Sequence, residues 1–82
     1  MRLDVALFEL RLYKSRSQAS VAVQDGAVQL NGEVVKPSHG VRPGDRLTLA
    51  SAAGSRTIEV LDLPRTSVSR AAAQALIRDV SG

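Results

Sequence analysis

The sequence contains no cysteine and no tryptophan, one histidine, one methionine, and only Phe8 and Tyr13 as aromatic residues. Without cysteine there is neither a disulfide nor a thiolate, and His39 alone cannot build a Cys/His zinc cluster. No metal site and no cofactor are expected. No apolar run approaches the length of a secretion signal or a membrane span, so a cytoplasmic location without a membrane partner is expected. A glycine-rich phosphate cradle is missing as well, since Gly40 and Gly44 belong to turns. The carboxylates Asp4, Glu9, Asp25, Glu33, Asp45, Glu59, Asp62 and Asp79 are scattered singly, at caps, turns and exposed strand positions. None is spaced for paired acid–base work, and His39 beside Ser38 has no orienting third group. No catalytic residue is assigned, and the chain is not expected to be an enzyme.

What remains is a chain of 82 residues, 44% hydrophobic, with 11 Lys and Arg against 8 Asp and Glu. This predicts a single domain spanning residues 1–82, near the lower limit for folding without cross-links. The excess of positive charge is small and suits either solubility or nucleic-acid binding, so its distribution matters more than its sum.

The stretch from Arg11 to Gly26 organises the rest. Ser15 followed by Gln18 has capping-box spacing: the serine oxygen accepts from a first-turn amide and the glutamine reaches back. A helix is predicted from Arg16, with Ala19, Ala22 and Val23 as its narrow apolar face and Gly26 as a left-handed stop. Arg11, Lys14 and Arg16 crowd the start of this helix, where each cation costs about 0.3–1 kcal/mol against the helix dipole. Stability alone would place acids there, whereas free amides, a hydroxyl and cations together suit an anion.

Upstream, Leu3, Leu7 and Leu10 recur with helical spacing around Ala6 and predict a short amphipathic helix with Asp4 in its first turn. Phe8 falls off that stripe, either as a half-buried packing residue or as a platform for a base. The packing reading takes precedence, and Tyr13 is treated alike.

Downstream, Ala27–Leu30 and Glu33–Lys36 flank Asn31-Gly32, the signature of a type I′ hairpin pairing Leu30 with Glu33 and Val28 with Val35. Lys36 to Gly40 is a loop, and Arg42-Pro43-Gly44-Asp45 a type II turn. A second hairpin is predicted from the Leu47/Leu49 strand, a loose 50–55 connection, and a strand over 56–63 carrying Ile58 and Val60. Ser67 or Ser69 then caps a last helix running to about Val80, with Ala72, Ala73, Leu76, Ile77 and Val80 buried. The fold class is therefore α+β: two short helices packed on two antiparallel hairpins, with a C-terminal helix.

With so few aromatics, base stacking cannot dominate recognition, and contact with the backbone of folded RNA fits better. The expected contacts are Arg2, Arg11, Lys14, Arg16 and Gln18 around the two-helix corner, with Lys36 delivered beside it by the hairpin. Arg42, Arg46, Arg56, Arg65, Arg70 and Arg78 are read as solvated charges. A protein-interaction domain with an incidental basic face is the rival from another class.

Arg2-Leu3-Asp4, Arg11, Lys14-Ser15-Arg16-Ser17-Gln18-Ala19, Gly26-x-Val28, Asn31-Gly32, Lys36-Pro37-Ser38 and Pro43-Gly44-Asp45 resemble, in order and without gaps from Arg2 to Leu49, the S4-type RNA-binding domain named after a small-subunit ribosomal protein. The resemblance implies an αL-type RNA-binding motif over residues 2–49, in which both helices and the hairpin after them form one RNA-binding surface, with residues 50–82 as a second hairpin and a helix. As a whole the chain is most similar to the small ribosome-associated quality-control members, and next to the fifteen-kilodalton heat-shock members, which carry tryptophans where this chain has Ala6 and Phe8. What this implies is binding to the large ribosomal subunit carrying a stalled peptidyl-tRNA. The partners would be ribosomal RNA of the large subunit, tRNA and a larger quality-control factor, with the free protein monomeric. Pseudouridine synthases share the domain, so the RNA-binding part of an rRNA-modifying system is the alternative. A clamp on two RNAs needs a second surface, expected from the 36–40 loop with Arg42 on the far side of the hairpin.

Overall fold

A computed structural model describes residues 1–65 and 68–81, and the elements run α1 (Leu3–Glu9), α2 (Arg16–Gln24), β1 (Val28–Leu30), β2 (Arg46–Ser51), β3 (Gly54–Val60), α3 (Arg70–Gln74) and β4 (Ile77–Asp79). The strands form one antiparallel sheet in the order β1-β2-β3-β4. The predicted α+β class holds.

The second helix begins and ends where its sequence dictates. Ser15 is the N-cap of α2, its Oγ accepting from the Gln18 amide at 3.1 Å. The Gln18 side chain does not complete the box, and among the described residues it has no hydrogen-bond partner. At the other end Gly26 (φ +77°) donates to Val23 C=O and Ala27 to Ala22 C=O, a Schellman stop. α1 stops in the same manner: Arg11 donates to Phe8 C=O and Leu12 to Leu7 C=O, with Arg11 itself at φ +62°. A left-handed arginine is an unusual choice there, because its Cβ crowds the carbonyl that glycine would leave free.

The core lies between these helices and one face of the sheet. Leu3, Ala6, Leu7 and Leu10 of the first helical segment and Ala19 and Val23 of α2 close over Val28, Leu30, Leu47, Ile58 and Val60. The register puts Leu47 opposite Leu30 on one side and Ile58 on the other. Polar Gln29, Thr48, Thr57 and Glu59 occupy the alternate positions, as expected of a sheet covered on one side only.

Three local expectations are corrected by tertiary structure. The Asn31-Gly32 turn forms, with Asn31 at φ +51°, Gly32 at +84° and Leu30 bonded to Glu33 in both directions, but the hairpin ends at that pair. Val28 pairs with Leu49 of β2 instead of Val35, and Val34 is 60% exposed. The chain after Glu33 is drawn to the start of α1, which has no side-chain cap. There Leu3 donates to His39 C=O and Asp4 to Pro37 C=O, and Val41, buried in the core, donates to Met1 C=O. Loop carbonyls thus satisfy helix amides that a serine or aspartate would otherwise meet.

The 50–55 connection is tight rather than loose: β2 and β3 remain paired to Ser51 and Gly54, with Ala52 and Ala53 turning between them. The last helix is the largest difference. Ser69 caps it, accepting from the Ala72 amide, but α3 ends at Gln74 and Ile77–Asp79 become β4 along the free edge of β3. Ser67, the other candidate cap, lies outside the described residues. The alanines stay helical, but Ile77 and Asp79 are poorer helix formers than alanine, and the edge of β3 offers them a ladder, an Arg78–Glu59 ion pair at 2.6 Å and an Arg56–Asp79 pair at 3.1 Å. The Ser81 amide and hydroxyl, and after them Arg56, hold the Asp79 carboxyl below the usual carboxylate range. That contribution is present at neutral pH and is lost on acidification.

The turn gives a first test. A Cβ added at Gly32 meets no neighbouring atom, so the cost of Gly32→Val is chiefly conformational, about 1–2 kcal/mol for a side chain at this φ. Thermal melting should fall by several degrees, with Gly32→Asn restoring much of the loss. An unchanged midpoint for the valine variant would refute the positive φ.

Candidate nucleic-acid interface

The structure divides the expected contact residues between the two ends of α1. Arg11, Lys14, Arg16 and Gln18 gather where α1 hands over to α2. Arg2 and Lys36 lie at the opposite end, a helix length of roughly 10 Å away at 1.5 Å per residue. Lys36 is there because the Pro37 and His39 carbonyls cap α1, and Arg2 is bridged to Gly40. Lys36 is therefore not beside the two-helix corner, and the 36–40 loop is not on a far side of its own. It forms one basic end with Arg2, while Arg42, His39 and Asn31 line a shallow depression next to it.

Their electrostatic states differ. The Arg2 guanidinium donates to both oxygens of Asp4, at 3.1 and 3.0 Å, and Asp4 is buried and also accepts from the Val5 amide. Arg2 keeps an exposed face, but much of its charge is compensated. Arg11 is engaged differently: its Nε and Nη2 donate to Val68 C=O at 3.1 and 2.7 Å. Lys14, Arg16 and Lys36 are exposed and have no carboxylate partner among the described residues. The cations at the start of α2 are thus left facing solvent at the positive end of a helix, where nothing in the fold benefits from them.

The grip of Arg11 on Val68 explains its strained backbone. Glycine would suit the helix stop better, but it has no side chain with which to tie this corner to a segment 57 residues further on, as the arginine fork does. Held this way, the start of α3 brings Arg70 into the cleft lined by Phe8, Arg11, Leu12, Tyr13, Lys14 and Gln18. Arg70 is exposed, as expected of a solvated charge, but it borders this cleft, a placement toward α1 that no local signal in the sequence indicates. Arg56 and Arg78 are paired with Asp79 and Glu59 at the exposed sheet edge. Tyr13 lies half-buried against the core, and its burial pushes the phenol up from its ordinary value.

The S4 domain model matches residues 1–47, which include both helices, the Asn31-Gly32 turn and the capping loop. The chain belongs to the S4 domain family. Relatives of this S4 domain include the RQC P-site tRNA stabilizing factor of Bacillus subtilis, 37% identical over 89% of this chain and 85% of that protein. The factor of the same name from Helicobacter pylori is 38% identical over 78% and 76%. Among solved structures, the trimeric heat shock protein 15 of Vibrio cholerae superposes with a TM-score of 0.91 at 34% identity, covering 99% of this chain and 82% of that one. The likeness extends beyond the family match into residues 48–82, where the sequence motifs are least distinctive. Among the described residues of the S4 domain, no His, Cys, Asp or Glu cluster is placed to hold a metal, and no helix is long and apolar enough to cross a membrane.

Proposed function

We propose that all 82 residues act as one RNA-binding unit on the ribosome, stabilising peptidyl-tRNA on a large subunit whose nascent chain has stalled. The observation that carries this is the pair Lys14 and Arg16, unpaired by any carboxylate among the described residues, at the N-terminus of α2. Cations retained where they oppose the helix dipole need an anion from outside, and phosphate satisfies them together with the free amides. The shared ancestry with P-site tRNA stabilizing factors supports tRNA as one partner.

Two basic ends on one small body suit a clamp between two RNAs. Arg11, Lys14, Arg16 and Gln18 form the first contact, and Arg2 and Lys36 with Arg42 the second. Large-subunit ribosomal RNA and tRNA are the ligands, and a larger quality-control factor acts on the same complex. The unit performs no chemistry, works in the cytoplasm without cofactor or metal, and is monomeric when free. Each contact is weak alone, and joint engagement multiplies affinity through effective concentration.

The test is binding to large subunits blocked with peptidyl-tRNA, to empty large subunits, to intact ribosomes and to free tRNA. The blocked subunit should bind roughly a hundred-fold tighter than any other, at the lower end of the roughly 10²–10⁴-fold gain open to a two-site ligand. Equal affinities would remove the clamp and leave a general RNA-binding module. No binding to any of them would overturn RNA binding itself.

A further inference from the structure

The cleft at the α1–α2 corner has more in it than phosphate contact requires. It measures about 590 Å³ and is lined by Phe8, Tyr13, Lys14, Gln18 and Arg70 together with Arg11 and Leu12. This lies within the range of about 300–1,000 Å³ typical of small-ligand clefts. Phe8 and Tyr13, the one phenylalanine and the one tyrosine of the chain, lie outside the strands that carry the rings of single-strand readers, yet both are half-buried along this one cleft. The Gln18 side chain is exposed, does not cap its own helix, and has no partner among the described residues. Lys14 and Arg70 are exposed at the same cleft.

We infer that this cleft takes a single unpaired nucleotide of the bound RNA, its base against the Phe8 and Tyr13 rings, its base edge on the Gln18 amide and its phosphate between Lys14 and Arg70. Each group matches a part of that ligand. An aromatic ring offers a stacking surface to any base. A side-chain amide carries a donor and an acceptor, which can read an adenine edge in two hydrogen bonds. Two cations at the mouth suit the phosphate. A helix of paired RNA presents backbone but no free base face, so it would engage the cations alone. The inference rests on the RNA-binding function proposed above and adds what part of the RNA is read. Arg11 is a positioning residue here: by holding Val68 it sets the start of α3, and with it Arg70, at the mouth of the cleft.

The chain supplies its own probe, because Tyr13 is the one tyrosine and there is no tryptophan. Three RNAs of one hairpin separate the terms: fully paired, with one unpaired adenosine, and with that adenosine made abasic. The last two carry identical phosphates. The unpaired adenosine should bind about 5- to 100-fold tighter than its abasic twin, the value of one stacked base, and should alone quench the Tyr13 emission. Gln18→Ala, at an exposed position, should keep the quenching and, against a fourth hairpin with uridine in place of the unpaired adenosine, lose the preference for adenosine that the parent protein shows. Equal binding of the adenosine and abasic RNAs, with Tyr13 emission unchanged, would overturn the inference while leaving RNA binding in place. Failure of all three RNAs to bind would overturn both.

Discussion

Alanine at both Lys14 and Arg16 is expected to weaken RNA binding by roughly ten- to thirty-fold, at about 1 kcal/mol for each exposed charge-assisted contact, and to leave thermal stability unchanged or higher. The two effects have one origin. Lys14 and Arg16 flank the Ser15 cap of α2, where their charges oppose the helix dipole and where no carboxylate among the described residues offsets them. Removing them relieves the free protein and deprives the complex. Salt should behave consistently. Arg2 is shared with Asp4 and Arg11 with Val68, but Lys14, Arg16, Lys36 and Arg70 remain available. Neutralising about four phosphates gives a slope of roughly −3 to −4 in log affinity against log salt, about a hundred-fold loss between 50 and 200 mM. The double variant should show a slope shallower by about 2. A flat salt response of the parent protein would exclude phosphate contact, and unfolding of both single variants would show that these cations are structural.

The largest effect on stability should come from Leu47→Ala. Leu47 is fully buried, paired across β1 to Leu30 and across β3 to Ile58, and it lies beneath both helices. Truncation there leaves a cavity that a three-strand junction cannot close, at a cost of about 2–5 kcal/mol. Against roughly 4–12 kcal/mol for a chain of this size, that is a large fraction of the total. The melting temperature should drop by about 10 °C or more, with a proportional fall in urea midpoint. Val34→Ala is the control: Val34 is 60% exposed beyond the turn and should shift stability by no more than about 0.5 kcal/mol. If Val34 proved the costlier of the two, the chain after Gly32 would have to continue as the hairpin that the sequence alone suggests.

That contrast marks how far the sequence reaches. Leu3, Leu7 and Leu10 define α1, Ser15 and Gly26 bound α2, and Asn31-Gly32 makes its turn, because each of these depends on interactions within a few residues. The cations at the start of α2 are legible for the same reason, since a helix dipole and its neighbours are local. The path of the chain beyond each turn is decided at longer range. Whether Val35 continues a hairpin or yields to the uncapped amides of Leu3 and Asp4 depends on where α1 lies. Whether Leu76 to Val80 stay helical depends on an unpaired edge of β3, which outweighs the weak bias of intrinsic helix propensity. Lys36 moves to the far end of α1 and Arg70 to the cleft through hydrogen bonds between segments distant in the chain. The sequence by itself determined the first two helices, the turns, the pairing of β2 with β3 and the positive corner; only the tertiary structure decided what pairs along the two outer edges of that hairpin, which cations are free, and that Phe8, Tyr13 and Gln18 share one cleft.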